Sequence, residues 1–191
     1  MTRITVLALS KWAHFSWLPR GERALTERAQ AEANADLLAR FPQLLAIQKT
    51  PDLPPFAALP RPACAKVLRA AAALAHARLV RRIVSAEARK RFAACVAPHV
   101  LHEIQRNSRG KWDDADQGAT PDVLDRVEMT AAGLQVALRA MDDPALRVLV
   151  ELRLPRIVAQ RAAQFGACNA SVKTARDWLD AAYALAGGEA C

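Results

Sequence analysis

Eleven prolines cut a chain otherwise suited to helices into short lengths, and their positions limit what it can fold into. Proline lacks the backbone N–H and clashes with the preceding turn. It therefore breaks or kinks a helix interior but is tolerated at the first helical position. Pro42, Pro98 and Pro155 each interrupt an apolar helical pattern. Pro121 and Pro144 instead follow Thr120 and Asp143, side chains that cap helix starts. Pro51, Pro54, Pro55, Pro60 and Pro62 crowd together and predict an extended, stiff connector. Between these breaks Ala and Leu supply most of the 52% hydrophobic residues, and glycine is scarce at 7. Ala and Leu lose little entropy in a helix. The expected fold is all-α, an irregular multi-helix domain. It divides into an N-terminal helical segment (1–50), a proline-rich connector (51–62) and a main helical domain (63–191), with one compact unit overall as the alternative. A chain of 191 residues buries enough surface to hold a core without metal or disulfide.

Apolar spacing places the helices. One is expected over 20–41. The clearest lies over 63–97, where Leu68, Ala72, Ala75, Leu79, Ile83 and Ala86 follow a 3.6-residue period. On that helix Arg81 lies opposite the stripe, while Arg82 borders it with its stem on the core. A short helix over 99–106 and a polar loop over 107–119 follow. The next helix starts at Thr120-Pro121-Asp122, with Val123, Val127, Ala131, Leu134, Leu138 and Met141 as its stripe. Asp143-Pro144 starts another, whose body (145–154) is apolar on most sides and expected centrally in the core. Helices over 156–164 and 172–186 complete the chain, the last capped by Ser171 and ended by Gly187-Gly188.

No catalytic or metal-binding pattern emerges. Cys64, Cys95, Cys168 and Cys191 are too far apart for the usual zinc spacing and read as reduced packing thiols. His99 and His102 could share a helix face, but no further ligands lie nearby. Asp113, Asp114 and Asp116 lack the glycine and distal Glu of a calcium loop. No glycine-rich phosphate loop or nucleophile elbow is present. The expectation is a non-enzymatic protein with no cofactor and no metal. No targeting or membrane-spanning segment is expected, which implies a soluble cytoplasmic protein.

Charge is the informative feature. The net charge is +8, yet residues 61–111 hold 12 Lys/Arg against 2 Asp/Glu, a local balance of +10. Such a field implies an acidic partner: a protein, nucleic acid or an anionic membrane surface. Arg78, Arg81, Arg82 and Arg89, with Lys90 and Arg91, form the candidate electrostatic docking surface. Without a helix-turn-helix signature or aromatic platform, nucleic-acid binding by segment 61–111 is the alternative reading. Trp12, Phe15 and Trp17 cluster near the N-terminus. They read first as core anchors. Because tryptophan also anchors interfaces, Trp12 and Trp17 are carried as candidate interface residues.

Three stretches carry a resemblance. The basic helix Leu74-Ala75-His76-Ala77-Arg78-Leu79-Val80-Arg81-Arg82-Ile83-Val84, the run Gly133-Leu134 with Leu138 and Ala140-Met141, and the closing Leu152-Arg153-Leu154-Pro155 occur in order. Together they resemble the SctK (YscK/PscK) family of type III secretion sorting-platform proteins. The aromatic stretch ending Leu18-Pro19 is similar too. The resemblance covers roughly residues 10–155. Ala77 departs from it, standing where the family pattern has glycine after His. The resemblance implies a cytoplasmic scaffold under the injectisome, at the cytoplasmic face of the inner membrane. It implies as partners the SctQ-type pod protein and the cytoplasmic domain of the ring protein SctD, with SctL and the SctN ATPase attached further inward. It implies neither nucleic-acid binding nor membrane insertion. The segment Leu152–Pro155 is expected in the core.

Overall fold

The computed structural model describes residues 9–19, 26–47, 52–106, 121–166 and 168–187. These residues form eleven α-helices and no strand: α1 (Leu9–Trp12), α2 (Glu27–Arg40), α3 (Pro55–Ala58), α4 (Arg61–Ala75), α5 (Ala77–Arg81), α6 (Ala86–Cys95), α7 (Pro98–Arg106), α8 (Arg126–Ala140), α9 (Pro144–Arg153), α10 (Arg156–Phe165) and α11 (Val172–Gly187). Two 3-10 turns, Phe15–Trp17 and Pro42–Ala46, flank α2. The all-α class holds.

The crossing of α4 and α8 is the centre of the molecule. From Ala70 to Ala75 every α4 residue is fully buried. A helix apolar all round must lie inside, and alanines let its neighbours come close. α8 packs on α4 through Ala131, Gly133, Leu134 and Ala137, all buried. α11 lies across both, driving Trp178 into the core, and α10 covers the remaining side of α8. Arg161 on α10 fixes that contact with a two-pronged pair to Glu128 of α8, Nε–Oε1 2.5 Å and Nη2–Oε2 2.9 Å. α6 and α7 pack together, and α5 rests on α7.

The helix starts follow local chemistry. Asp143 accepts from the Ala145 N–H at 2.8 Å ahead of Pro144, and Ser171 accepts from Thr174 at 3.0 Å, both as expected. The start at 120–122 is displaced. Asp122 instead turns back to the Leu124 N–H, and Asp125 caps α8 by accepting from Glu128 at 2.8 Å. The side chain that wins is the one three residues before an N–H it can reach. As a result Val127 stands exposed in the first turn rather than in the stripe. Thr120, the loop over 107–119 with Asp113, Asp114 and Asp116, and Cys191 lie outside the described residues.

Two expectations are corrected. The prolines of 51–62 do not make an extended connector throughout: Pro55 opens α3 and Pro62 sits in the first turn of α4. Proline's fixed φ suits those positions, and its missing N–H would be unbonded there anyway. The helix expected over 63–97 is three. His76 leaves helical geometry at φ −113°, ψ 34°, and Ser85 restarts the chain as the cap of α6. The break shifts the helical phase, so Arg81 is half-buried and Arg82 is exposed, the reverse of the periodic reading.

The described residues of 1–50 share the core of the rest. The His14 N–H donates to the Leu152 carbonyl at 2.7 Å, and the Arg156 N–H donates to Ser16 Oγ at 2.8 Å. Leu9, Trp12, Leu37 and Leu44 belong to the same apolar cluster as Leu68 and Leu149.

Candidate docking surface

Eight of the twelve basic residues of 61–111 divide into two sets. The first holds the fold together. Arg61 donates through Nη2 to the carbonyls of Trp12 and Ala13 at 2.8 and 2.7 Å, satisfying the orphan C-terminal acceptors of α1. Arg69 donates to the Cys95 carbonyl at 2.5 Å, tying α4 to the end of α6, and its desolvation lowers its pKa. Arg81 reaches the Ile104 carbonyl on α7 at 3.4 Å. Buried carbonyls need donors, and a guanidinium supplies several from one side chain.

The second set faces outward. Arg78, Arg82, Arg89, Lys90 and Arg91 are exposed on α5, on α6 and on the four residues between them. Arg89 folds back to the Ile83 carbonyl at 3.3 Å, which brings it beside the 82–85 linker. Val84, 76% exposed, projects among these charges. No ion pair engages Arg82, Arg89, Lys90 or Arg91 among the described residues. Desolvated charge is costly, so such side chains stay hydrated until a complementary surface meets them. The apolar Val84 was invisible to periodicity because the helix was expected to run through it.

Trp12 and Trp17 are placed otherwise. Both are buried, at 8% and 6% exposure, and both indole N–H groups are engaged inside: Trp12 to the Leu149 carbonyl at 2.7 Å, Trp17 to the Leu154 carbonyl at 2.8 Å. The Arg153 guanidinium lies 4.2 Å from the Trp12 ring centroid, within cation–π range. Their core reading stands, and as interface residues they are corrected: neither indole has a surface left for a partner to cover. Leu152 and Leu154 are buried, as expected for the closing segment.

The groups that could do chemistry are dispersed. Burial pushes the Cys64 thiol up to about 11 despite the nearby Arg153, and burial also raises Cys95. A thiol held protonated is a poor nucleophile and metal ligand. His99 is bonded to the Leu185 carbonyl of α11, while His102 is exposed. No group of three His, Cys, Asp or Glu side chains suited to a metal occurs among the described residues. No described helix is long and apolar enough to cross a membrane. Glu151 sits half-buried on α9, and desolvation raises its carboxyl pKa. A carboxyl raised on folding contributes stability that is full below its unfolded pKa and lost as pH rises through the folded one. Glu151→Gln is therefore expected to raise Tm at pH ~7 and to leave it nearly unchanged below pH ~4. Thermal melts of both chains across that range check it.

Helices joined through backbone-directed arginines, with an exposed basic face on α5 and α6, make this an all-helical protein. The chain matches the family model described as YOP proteins translocation protein K (YscK) over residues 3–179, and it belongs to that family. It is accordingly a type III secretion-related protein of a structural family, with components of that system as its partners. No curated protein and no solved structure matches it.

Proposed function

We propose that this protein is a non-enzymatic, cytoplasmic adaptor of the type III secretion sorting platform. It links the SctQ-type pod protein to the cytoplasmic domain of the inner-membrane ring protein SctD, and through the pod it communicates with SctL and the SctN ATPase. The observation that supports this reading is the exposed face of Arg78, Arg82, Arg89, Lys90 and Arg91 around Val84, where no carboxylate of the described residues pairs with Arg82, Arg89, Lys90 or Arg91. Charges rimming an apolar contact steer association and fix register. Phe92, the aromatic residue of α6, is fully buried, so the described residues of α5 and α6 offer bases nothing to stack on.

The test is a pull-down of SctQ and the SctD cytoplasmic domain with the Arg82→Glu/Arg89→Glu double variant. Reversal is aimed at exposed residues because Arg81 supports α7. One partner is expected to be lost or weakened about tenfold, with a steeper loss at low salt and an unchanged circular dichroism melt. Undiminished capture of both partners would sink the assignment of this face. Tight duplex DNA binding with a steep salt slope, abolished by the same variant, would replace it with the nucleic-acid reading.

A further inference from the structure

Away from the basic face, α1 and its following turn, the first turn of α4 and the end of α9 enclose a cleft of about 690 Å3. That size falls within the range of ligand sites, roughly 300–1,000 Å3. Phe15, Leu18, Pro62 and Leu154 form its apolar wall. Lys11, Arg61 and Arg153 supply its charge, and no Asp or Glu lines it among the described residues.

The two guanidiniums are held in place without being neutralised. Arg61 is anchored on the carbonyls of Trp12 and Ala13, and Arg153 on the Leu59 carbonyl and the Trp12 ring. Backbone carbonyls accept hydrogen bonds but bring no negative charge. Arg153 also has the neutral Cys64 thiol beside it, which brings no negative charge either. The local demand is for negative charge combined with apolar surface. An inorganic anion answers only the first half, and a basic or neutral chain only the second.

The geometry points to this cleft as a second docking site, distinct from the α5–α6 face, for a short partner segment in which carboxylates alternate with apolar side chains. That the occupant is a protein rests on the adaptor reading; the charge and shape of the site do not. Two unlike sites on one small chain would let an adaptor hold two partners at once.

The experiment uses the full-length 15N-labelled chain and short acetylated peptides of alternating Glu and Leu, Gln and Leu, or Lys and Leu. The Glu-Leu peptide is expected to shift the Trp12 indole N–H and the amides of residues 11–18, while the Lys-Leu peptide leaves them in place. Lys11 is exposed and makes no contact essential to the fold, so Lys11→Glu should weaken the Glu-Leu peptide about tenfold. Equal shifts with the Gln-Leu peptide, shifts confined to 82–91, or no shift would each overturn the site. The same shifts with inorganic phosphate would reduce it to a general anion site. If the peptide is silent while SctQ and SctD are still held, the cleft assignment fails alone. If the peptide binds while neither partner is held, the adaptor reading fails and the cleft stands.

Discussion

Gly133→Ala is expected to lower Tm by roughly 5–10 °C, although alanine is the better helix former. The two effects oppose each other and their sizes decide. Replacing glycine within a helix by alanine gains about 1 kcal/mol from propensity alone. Against that, a Cβ on Gly133 would stand 1.9 Å from the Leu68 carbonyl oxygen and 2.4 Å from its carbon. Both are backbone atoms in the middle of α4, so no side chain can swing aside. Relief requires α4 and α8 to separate, and these two helices carry the centre of the core. Overpacking a core costs typically 1–3 kcal/mol, and a backbone-to-backbone clash belongs at or above the upper end. The expected net loss is therefore about 2 kcal/mol or more, at about 2–4 °C per kcal/mol for a chain of this length. Thermal melts of the two proteins decide it. A rise of a few degrees in the variant would mean that α4 and α8 are not in backbone contact.

That crossing shows which part of the fold local sequence could reveal. Gly133 reads in the sequence as one element of a family-like run, not as a contact point. A glycine inside a helix says that something approaches, but only the three-dimensional path names Leu68. Helix starts governed by one side chain and its neighbours, such as Asp143 and Ser171, were legible because the whole cause lies within three residues. The break at His76 was not, because Ala, Leu and Val run through it without a proline or glycine to mark it. The proline cluster misled for a related reason. Proline forbids helix interiors but favours first turns, and spacing alone does not tell a connector from two adjacent helix starts.

The candidate surface was legible in part. A local balance of +10 singles out the segment, and its Arg78, Arg82 and Arg89 do stand on the outside. Charge counting could not separate them from Arg61 and Arg69, whose partners are carbonyls remote in sequence. An arginine bound to a carbonyl leaves no complementary residue type to notice. The same blindness hid Arg153. It sits inside a closing Leu-Arg-Leu-Pro run that reads as core, yet its guanidinium joins Arg61 on a cleft wall.

Trp12→Ala is expected to melt the whole molecule about 10 °C lower, in a single transition. Truncating a buried tryptophan costs about 3–5 kcal/mol through lost contact and the cavity left behind. Here the indole also gives up its bond to the Leu149 carbonyl and leaves Arg153 without the ring beneath it. Trp12→Phe separates these contributions. Phenylalanine keeps a ring under the guanidinium and loses the N–H, so its cost should be nearer 1–2 kcal/mol, that of the hydrogen bond plus a small void. The number of transitions matters more than their position. If residues 1–50 were a lobe hinged on the proline-rich stretch, the substitution would detach that lobe and leave the main helices melting where they did. The contacts of Trp12, His14, Ser16 and Trp17 with α9 and the residues flanking it predict instead that the two parts lose structure together. Circular dichroism at 222 nm reports the helices of the whole chain, and the indole N–H resonance of Trp178 in the 15N-labelled protein reports α11 within the central packing. Both should fall at the same lowered temperature. A Trp178 signal that melts at the parental temperature while part of the helical signal is lost early would establish the hinged lobe.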